Sequence, residues 1–297
     1  MKLAITGSTG LVGKKITAEL KAAGHQVVKL VRKVSNSENE FSWNPDTDKI
    51  DAKAFEGVDA VIHLAGESIA SKRWSSEQKM KIKQSRVKGT KLIASTLAAM
   101  DNPPRVLVSA SAIGFYGDRG AELLTEESTT GEGFLAAVCR EWEDATRDAE
   151  SKGLRVVHAR LGVVLSKEGG ALKMMLPPFL MGAGGPLGDG KQYMSWIDLD
   201  DAAKAFIYLA TEANTSGAVN LVAPNPETNA NFTKTLAKVI HRPAFFPVPT
   251  FGVKALFGEM GEELLLSSNR VSANKLVNSG FKFTYPDLES ALKHELN

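Results

Sequence analysis

"TGSTGLVG", residues 6–13, decides how the rest of the chain is read. It closes the aliphatic run "KLAIT" (2–6) and opens a segment, 11–23, with apolar residues at helical spacing, so three glycines fall between a strand and a helix. Gly7 permits a tight turn, Gly10 lets a pyrophosphate approach backbone N–H groups at the positive end of the helix, and Gly13 lets that helix lie close to the strand. Thr9, Leu11 and Val12 fill out the loop. A structural turn between strand and helix is the plain alternative. The context favours dinucleotide binding, because a second strand, "QVVKLVR" (26–32), follows where such a unit requires it. That strand ends in Arg32 and Lys33, where an NAD binder offers a carboxylate to the ribose. Two cations there suit a 2′-phosphate through charge-assisted contacts, so the expected cofactor is NADP(H).

Outward from this unit, "DAVIHLAG" (59–66), "RVLVSAS" (105–111) and "RVVHARLGVVL" (155–165) read as buried parallel strands. The segments 76–100 and 133–152 read as helices between them. Repeated β-α alternation predicts an α/β fold with a doubly wound parallel sheet. From about residue 165 the rhythm loosens into "PPFLMGAGGPLGDGKQYMSWIDLDD", a glycine-rich loop before a helix that an aspartate caps. Segment 165–197 is therefore the expected substrate mouth, and Asp198 and Asp201 are expected to cap and begin that helix. The tail, with "NFTKTLAKVIH", "SANKLVNSG" and "PDLESALKHEL", predicts a small, mainly helical C-terminal domain over 226–297, after a main domain over 1–225.

Composition narrows the function classes. A single cysteine, Cys139, excludes an internal disulfide or a cysteine-based zinc cluster and suits a reducing compartment, so the expected location is the cytoplasm. No apolar run approaches the ~18 residues of a membrane helix, and neither a signal peptide nor a membrane partner is expected. The net charge of +2 does not suggest nucleic acid. The cationic stretch 71–91 reads as a solvated helix face, with local attraction of phosphates as the alternative. Five scattered histidines offer no ligand spacing, so no metal is expected.

The glycine spacing, with "DAVIHLAG", "LVSASAIGFYG" and "GDGKQYMSWIDLDD", resembles the extended short-chain dehydrogenase/reductases. "LAGESIASKRW", "SRVKGTK", "RLGVVLSKEGGAL", "FGEMGEELLLSSNRV" and "LVNSGFKFTYPDLESAL" are more similar still to an atypical branch, the epimerase-family NAD(P)-binding oxidoreductases with a C-terminal domain of unknown function. The resemblance covers essentially the whole chain and implies a Rossmann-like sheet with the small domain on the substrate side. Carried over by position, it implies that Leu64, Ala65 and Gly66 line the adenosine side of the cofactor and that Arg86 reaches its phosphates or ribose. It also implies that Ser109 lies under the nicotinamide half and that Gly162 and Val163 border the carboxamide. Glu67 and Trp74 are candidate substrate contacts; His63, inside an apolar strand, reads as a core histidine and Trp142 as core.

The same resemblance exposes a gap. Reductases of this superfamily pass the substrate proton through Tyr-x-x-x-Lys, the lysine lowering a phenol pKa that is otherwise about 10. Four residues beyond Tyr116, Tyr193, Tyr208 and Tyr285 stand Gly120, Ile197, Glu212 and Glu289. With Glu143 aligned to the family's downstream acid, Leu135 takes the tyrosine position and Cys139 the lysine position. Ser111 aligns with the substrate-polarising serine, and Tyr116, just beyond it, is the candidate replacement proton donor if Arg86 or Lys81 approaches it. Two readings stay open: an NADP(H)-dependent oxidoreductase or epimerase-like enzyme for a small polar substrate such as a nucleotide-linked sugar, or a catalytically silent NADP(H)-binding sensor. Oligomeric state is not legible.

Overall fold

The computed structural model describes residues 1–33 and 37–296. Its strands and helices follow in the order β1 (Lys2–Thr6), α1 (Leu11–Ala22), β2 (Gln26–Val31), β3 (Glu40–Asn44), β4 (Lys49–Ile50), β5 (Ala60–His63), α2 (Ser76–Ala98), β6 (Val106–Ala112), β7 (Leu123–Leu124). Next come α3 (Phe134–Asp144), α4 (Arg147–Ser151), β8 (Arg155–Leu161), β9 (Val163–Leu165), α5 (Gly170–Leu180), β10 (Tyr193–Met194), β11 (Trp196–Asp198), α6 (Leu199–Thr211) and β12 (Gly217–Leu221). The remainder is β13 (Glu227–Thr228), α7 (Asn229–Val239), α8 (Thr250–Phe257), α9 (Glu259–Gly261), a π-helical turn (Glu262–Leu266), β14 (Arg270–Val271), α10 (Asn274–Asn278) and α11 (Leu288–Leu296).

One eight-stranded sheet has the order β12-β8-β6-β5-β1-β2-β3-β4. β1 pairs in parallel with both β2 and β5, β5 with β6 and β2 with β3, while β4 closes the edge antiparallel. The order reverses between β1 and β5, the switch point where open α/β sheets take ligands beyond the strand ends. The apolar runs form these strands because both faces are covered: every residue of β5 is buried, and six of the seven in β6. The Rossmann-like expectation holds.

The chain divides into two compact units, each assembled from three segments. Residues 1–111, 138–160 and 203–219 form the first; 112–137, 161–202 and 220–297 form the second. In the first, Val28, Leu30, Phe55, Val61, Ile93, Leu97 and Leu107 build the core on one sheet face. In the second, Trp196, Leu172, Phe179, Phe232 and Leu236 pack with Leu288 and Leu292 of α11. The expected tail helices are present, and helix α5 stands in what reads as loop. Among the described residues no helix is long and apolar enough to cross a membrane.

Candidate functional site

The first unit presents the glycine loop at the end of β1. Gly7 has φ +70°, and a Cβ there would stand 2.9 Å from the Leu64 carbonyl carbon. A Cβ on Gly13 would meet the Gly7 oxygen at 2.2 Å, so α1 seats against the loop only because that atom is missing. Gly10 is the N-cap of α1, in extended conformation; no side chain caps the helix and no acid lies in its first turn. The exposed N–H groups and the helix dipole therefore favour an anion. The Ser8 hydroxyl, buried in the loop with no hydrogen-bond partner, is a further orphan that a phosphate oxygen would satisfy. The loop fits a dinucleotide pyrophosphate, and Ser8 is a residue the sequence pattern passes over.

Thr6 ties the ends of β1 and β5 together. Its Oγ1 accepts the N–H groups of Leu64 and Ala65 at 3.1 and 3.2 Å and lies 2.7 Å from His63 Nδ1. His63 is wholly buried, its Nε2 has no partner, and burial lowers its pKa to about 4. It is a neutral core histidine. Arg32 and Lys33, just past β2, are exposed.

Gly66 and Arg86 are placed together: a Cβ on Gly66 would lie 3.3 Å from the guanidinium carbon. Arg86 Nη1 donates to the carbonyls of Glu67 (2.9 Å) and Ile82 (3.1 Å), and the guanidinium lies 5.1 Å from the Trp142 ring centroid. Burial lowers the Arg86 pKa. Trp142 is core, its Nε1 donating to Thr90 Oγ1 at 2.8 Å. The Glu67 N–H donates to Ser85 Oγ at 3.0 Å, and Trp74 Nε1 donates to the Ile69 carbonyl at 2.8 Å. Lys81 pairs with Glu77 one helical turn away.

Ser109 and Ser111 lie on β6, both buried. The Ser109 hydroxyl donates to the Ala110 carbonyl at 3.4 Å. Ser111 donates to Glu143 Oε1 at 2.6 Å, and Arg160 clamps the same carboxylate, Nε to Oε1 and Nη2 to Oε2, both at 2.9 Å. Sequence reasoning uses Glu143 only as an alignment mark and misses this chain of three. Cys139 is buried.

In the second unit, Tyr116 is wholly buried and its hydroxyl donates to Asn220 Oδ1 at 2.7 Å. Gly162 allows a close approach: a Cβ would stand 2.8 Å from the Ser195 oxygen, and Val163 pairs with Trp196 across β9 and β11. The N–H groups of Phe134 and Leu135 donate to Glu263 at 2.7 and 2.8 Å, so a carboxylate caps the start of α3. Asp198 accepts the Asp200 N–H at 2.8 Å, the expected cap; Asp201, in the first turn of α6, also accepts the N–H groups of Thr284 and Tyr285. A cavity of about 680 Å³ is lined by Tyr193, Asn225, Glu227, Arg270, Ser272 and Asn274 among others. Arg270 lies over the Tyr193 ring, 5.2 Å from its centroid.

A parallel sheet with an anion-receptive glycine loop at its switch point defines a nucleotide-binding class. The chain belongs to the NAD dependent epimerase/dehydratase family, whose model matches residues 3–222; a second model, a domain of unknown function called DUF1731, matches residues 248–295. An epimerase family protein of Mycobacterium bovis is 42% identical over 290 residues, 98% of this chain and 96% of that one. The crystal structure of human epimerase family protein SDR39U1 with NADPH is 31% identical with a TM-score of 0.91, covering 99% of each chain. A nucleoside-diphosphate sugar epimerase from Corynebacterium glutamicum is 39% identical with a TM-score of 0.81, covering 100% of this chain and 58% of that one.

Proposed function

We propose that the protein is an NADP(H)-dependent oxidoreductase or epimerase-like enzyme that acts on a small polar substrate of the nucleotide-sugar kind without a Tyr-x-x-x-Lys pair. The observation that carries this reading is the glycine cradle with the orphaned Ser8 hydroxyl, followed by Arg32 and Lys33 beyond β2. Gly7, Thr9, Gly10, Leu11, Val12 and Gly13 hold the pyrophosphate, and Arg32 and Lys33 the 2′-phosphate. Leu64, Ala65, Gly66 and Arg86 border the adenosine half; Ser109, Gly162 and Val163 border the other. The NADPH of the human relative supports the cofactor.

When bound, the nicotinamide supplies or accepts a hydride. The proton is left to the chain, and Ser111 is the group for it. Its oxygen accepts from the substrate hydroxyl as that proton leaves, its own proton passing to Glu143, which Arg160 holds in place; the reverse relay returns a proton to the substrate oxygen. Tyr116 takes a smaller part, because Asn220 holds its hydroxyl. Glu67 and Trp74 are the proposed substrate contacts. A lone cysteine supports a cytoplasmic setting.

The capped α3 favours a second reading, a sensor: Glu263 closes the helix start at Leu135, where acid–base chemistry belongs. Calorimetric titration with NADPH and NADH, then a carbonyl and nucleotide-sugar library followed by loss of reduced cofactor, separates the two. Turnover that slows in Ser111→Ala while NADPH affinity stays within about twofold carries the enzyme, since a polarising contact acts on the barrier and not on the cofactor. Binding without turnover carries the sensor. Failure of Arg32→Asp to weaken NADPH relative to NADH would remove the NADP assignment.

A further inference from the structure

In the second unit, one group of side chains lies outside the sites above. Asp198 is wholly buried; its Oδ1 caps α6 through the Asp200 N–H, while its Oδ2 has no hydrogen-bond partner. Helix α11 brings His294 and Glu295 to it, and one ligand atom from each of the three lies within 4.8 Å of the others. Glu295 is buried, with Oε2 accepting the Lys167 N–H at 3.0 Å. His294 is partly exposed and stacks on Tyr285, its Nδ1 2.9 Å from the tyrosine hydroxyl and its Nε2 3.4 Å from Asp200 Oδ2.

We propose that Asp198, His294 and Glu295 bind one divalent cation of the Zn²⁺ type, which fastens α11 to the start of α6. Two carboxylates brought together in a buried place repel each other, and a cation held between them removes that repulsion. A cation satisfies the orphaned Oδ2 and engages the imidazole as well. One nitrogen with carboxylate oxygens selects a borderline ion over Mg²⁺ or Ca²⁺, which prefer oxygen alone. Tyr285, 2.9 Å from Nδ1, holds the ring from behind and leaves Nε2 for the ion with Asp200 beside it. Burial of the two carboxylates marks the site as structural.

The test is titration of the metal-stripped full chain with Zn²⁺, and with Mg²⁺ as the control, by calorimetry and thermal unfolding. One Zn²⁺ per chain should bind, raising Tm by about 4 °C at a hundredfold excess over Kd. X-ray absorption should show one nitrogen and the rest oxygens at about 2.0–2.2 Å. His294→Gln and Asp198→Asn, the latter keeping an oxygen for the Asp200 N–H, should each weaken binding at least about tenfold. If Asp198→Asn does not fold, His294→Gln decides alone, since its ring is partly exposed. No Zn²⁺ binding, binding indifferent to His294→Gln, or a spectrum without imidazole overturns the proposal. NADPH binding in the first unit is a separate measurement on the same sample.

Discussion

Ser111 and Glu143 share a 2.6 Å hydrogen bond although 32 positions separate them. The bond spends the serine's only proton on a carboxylate that Arg160 already holds by two contacts. The Arg160 and Glu143 side chains are 5% and 11% exposed, so the pair stands in low dielectric.

Glu143→Gln leaves the buried Arg160 guanidinium without its counter-ion. Breaking such a pair costs about 3–5 kcal/mol, and urea unfolding should show that loss. Ser111→Ala keeps the ion pair and should cost about 1 kcal/mol. Equal losses in the two variants would mean that the serine, not the ion pair, organises the cluster.

Tyr116→Phe tests the buried turn that follows β6. Asn220 receives the phenol on Oδ1, donates from Nδ2 to the Ser272 carbonyl and from its backbone N–H to Glu126. Removing the hydroxyl orphans a buried acceptor, at about 1–3 kcal/mol. Unchanged stability would show the phenol to be dispensable there and leave catalysis as its role.

His63 sets an acid limit. Its folded pKa is depressed from 6.5 to about 4 by burial, so below pH 6.5 the unfolded chain takes up a proton that the folded chain refuses. Stability is whole above pH 6.5 and falls as pH drops toward 4, by up to about 3 kcal/mol. Denaturation curves at pH 7.5, 6 and 5 should show a steeper fall in the parent than in His63→Gln. Parallel pH profiles would sink this account.

Gly13→Ala probes the cradle. The added methyl would meet the Gly7 oxygen at 2.2 Å, so α1 must move away from β1 and carry its N–H groups off the pyrophosphate. NADPH affinity should fall more than about tenfold, whereas Gly10→Ala, with its nearest contact at 3.3 Å, should fall less. Calorimetry on both variants reads the difference.

The parallel strands and the glycine loop were legible because burial on both faces writes itself as apolar runs, and the turn demands glycine at fixed steps. Helix α5 was not, because Pro177 and Pro178 argue against it. It tolerates them because both prolines are exposed, as are Lys173 and Met174, whose carbonyls lose their partners to water. The inner side of α5 is Leu172 and Phe179, seven apart. The turn glycines could be read by spacing; the partners of Ser111 could not, since Glu143 and Arg160 meet it only after α3 and β8 are placed. The Asp198, His294 and Glu295 group was hidden for the same reason.

The three-by-three interleaving of the units bears on synthesis at the ribosome. The first unit lacks its last segment until residue 219 has emerged, and the core of the second waits for Leu288, Ala291 and Leu292 in α11. A nascent chain thus carries Phe179, Trp196 and Phe232 without their α11 partners from the moment each emerges until the last residues are made. Chaperone demand should therefore peak late, and a stop codon placed just before α11 should harm yield more than its few residues suggest.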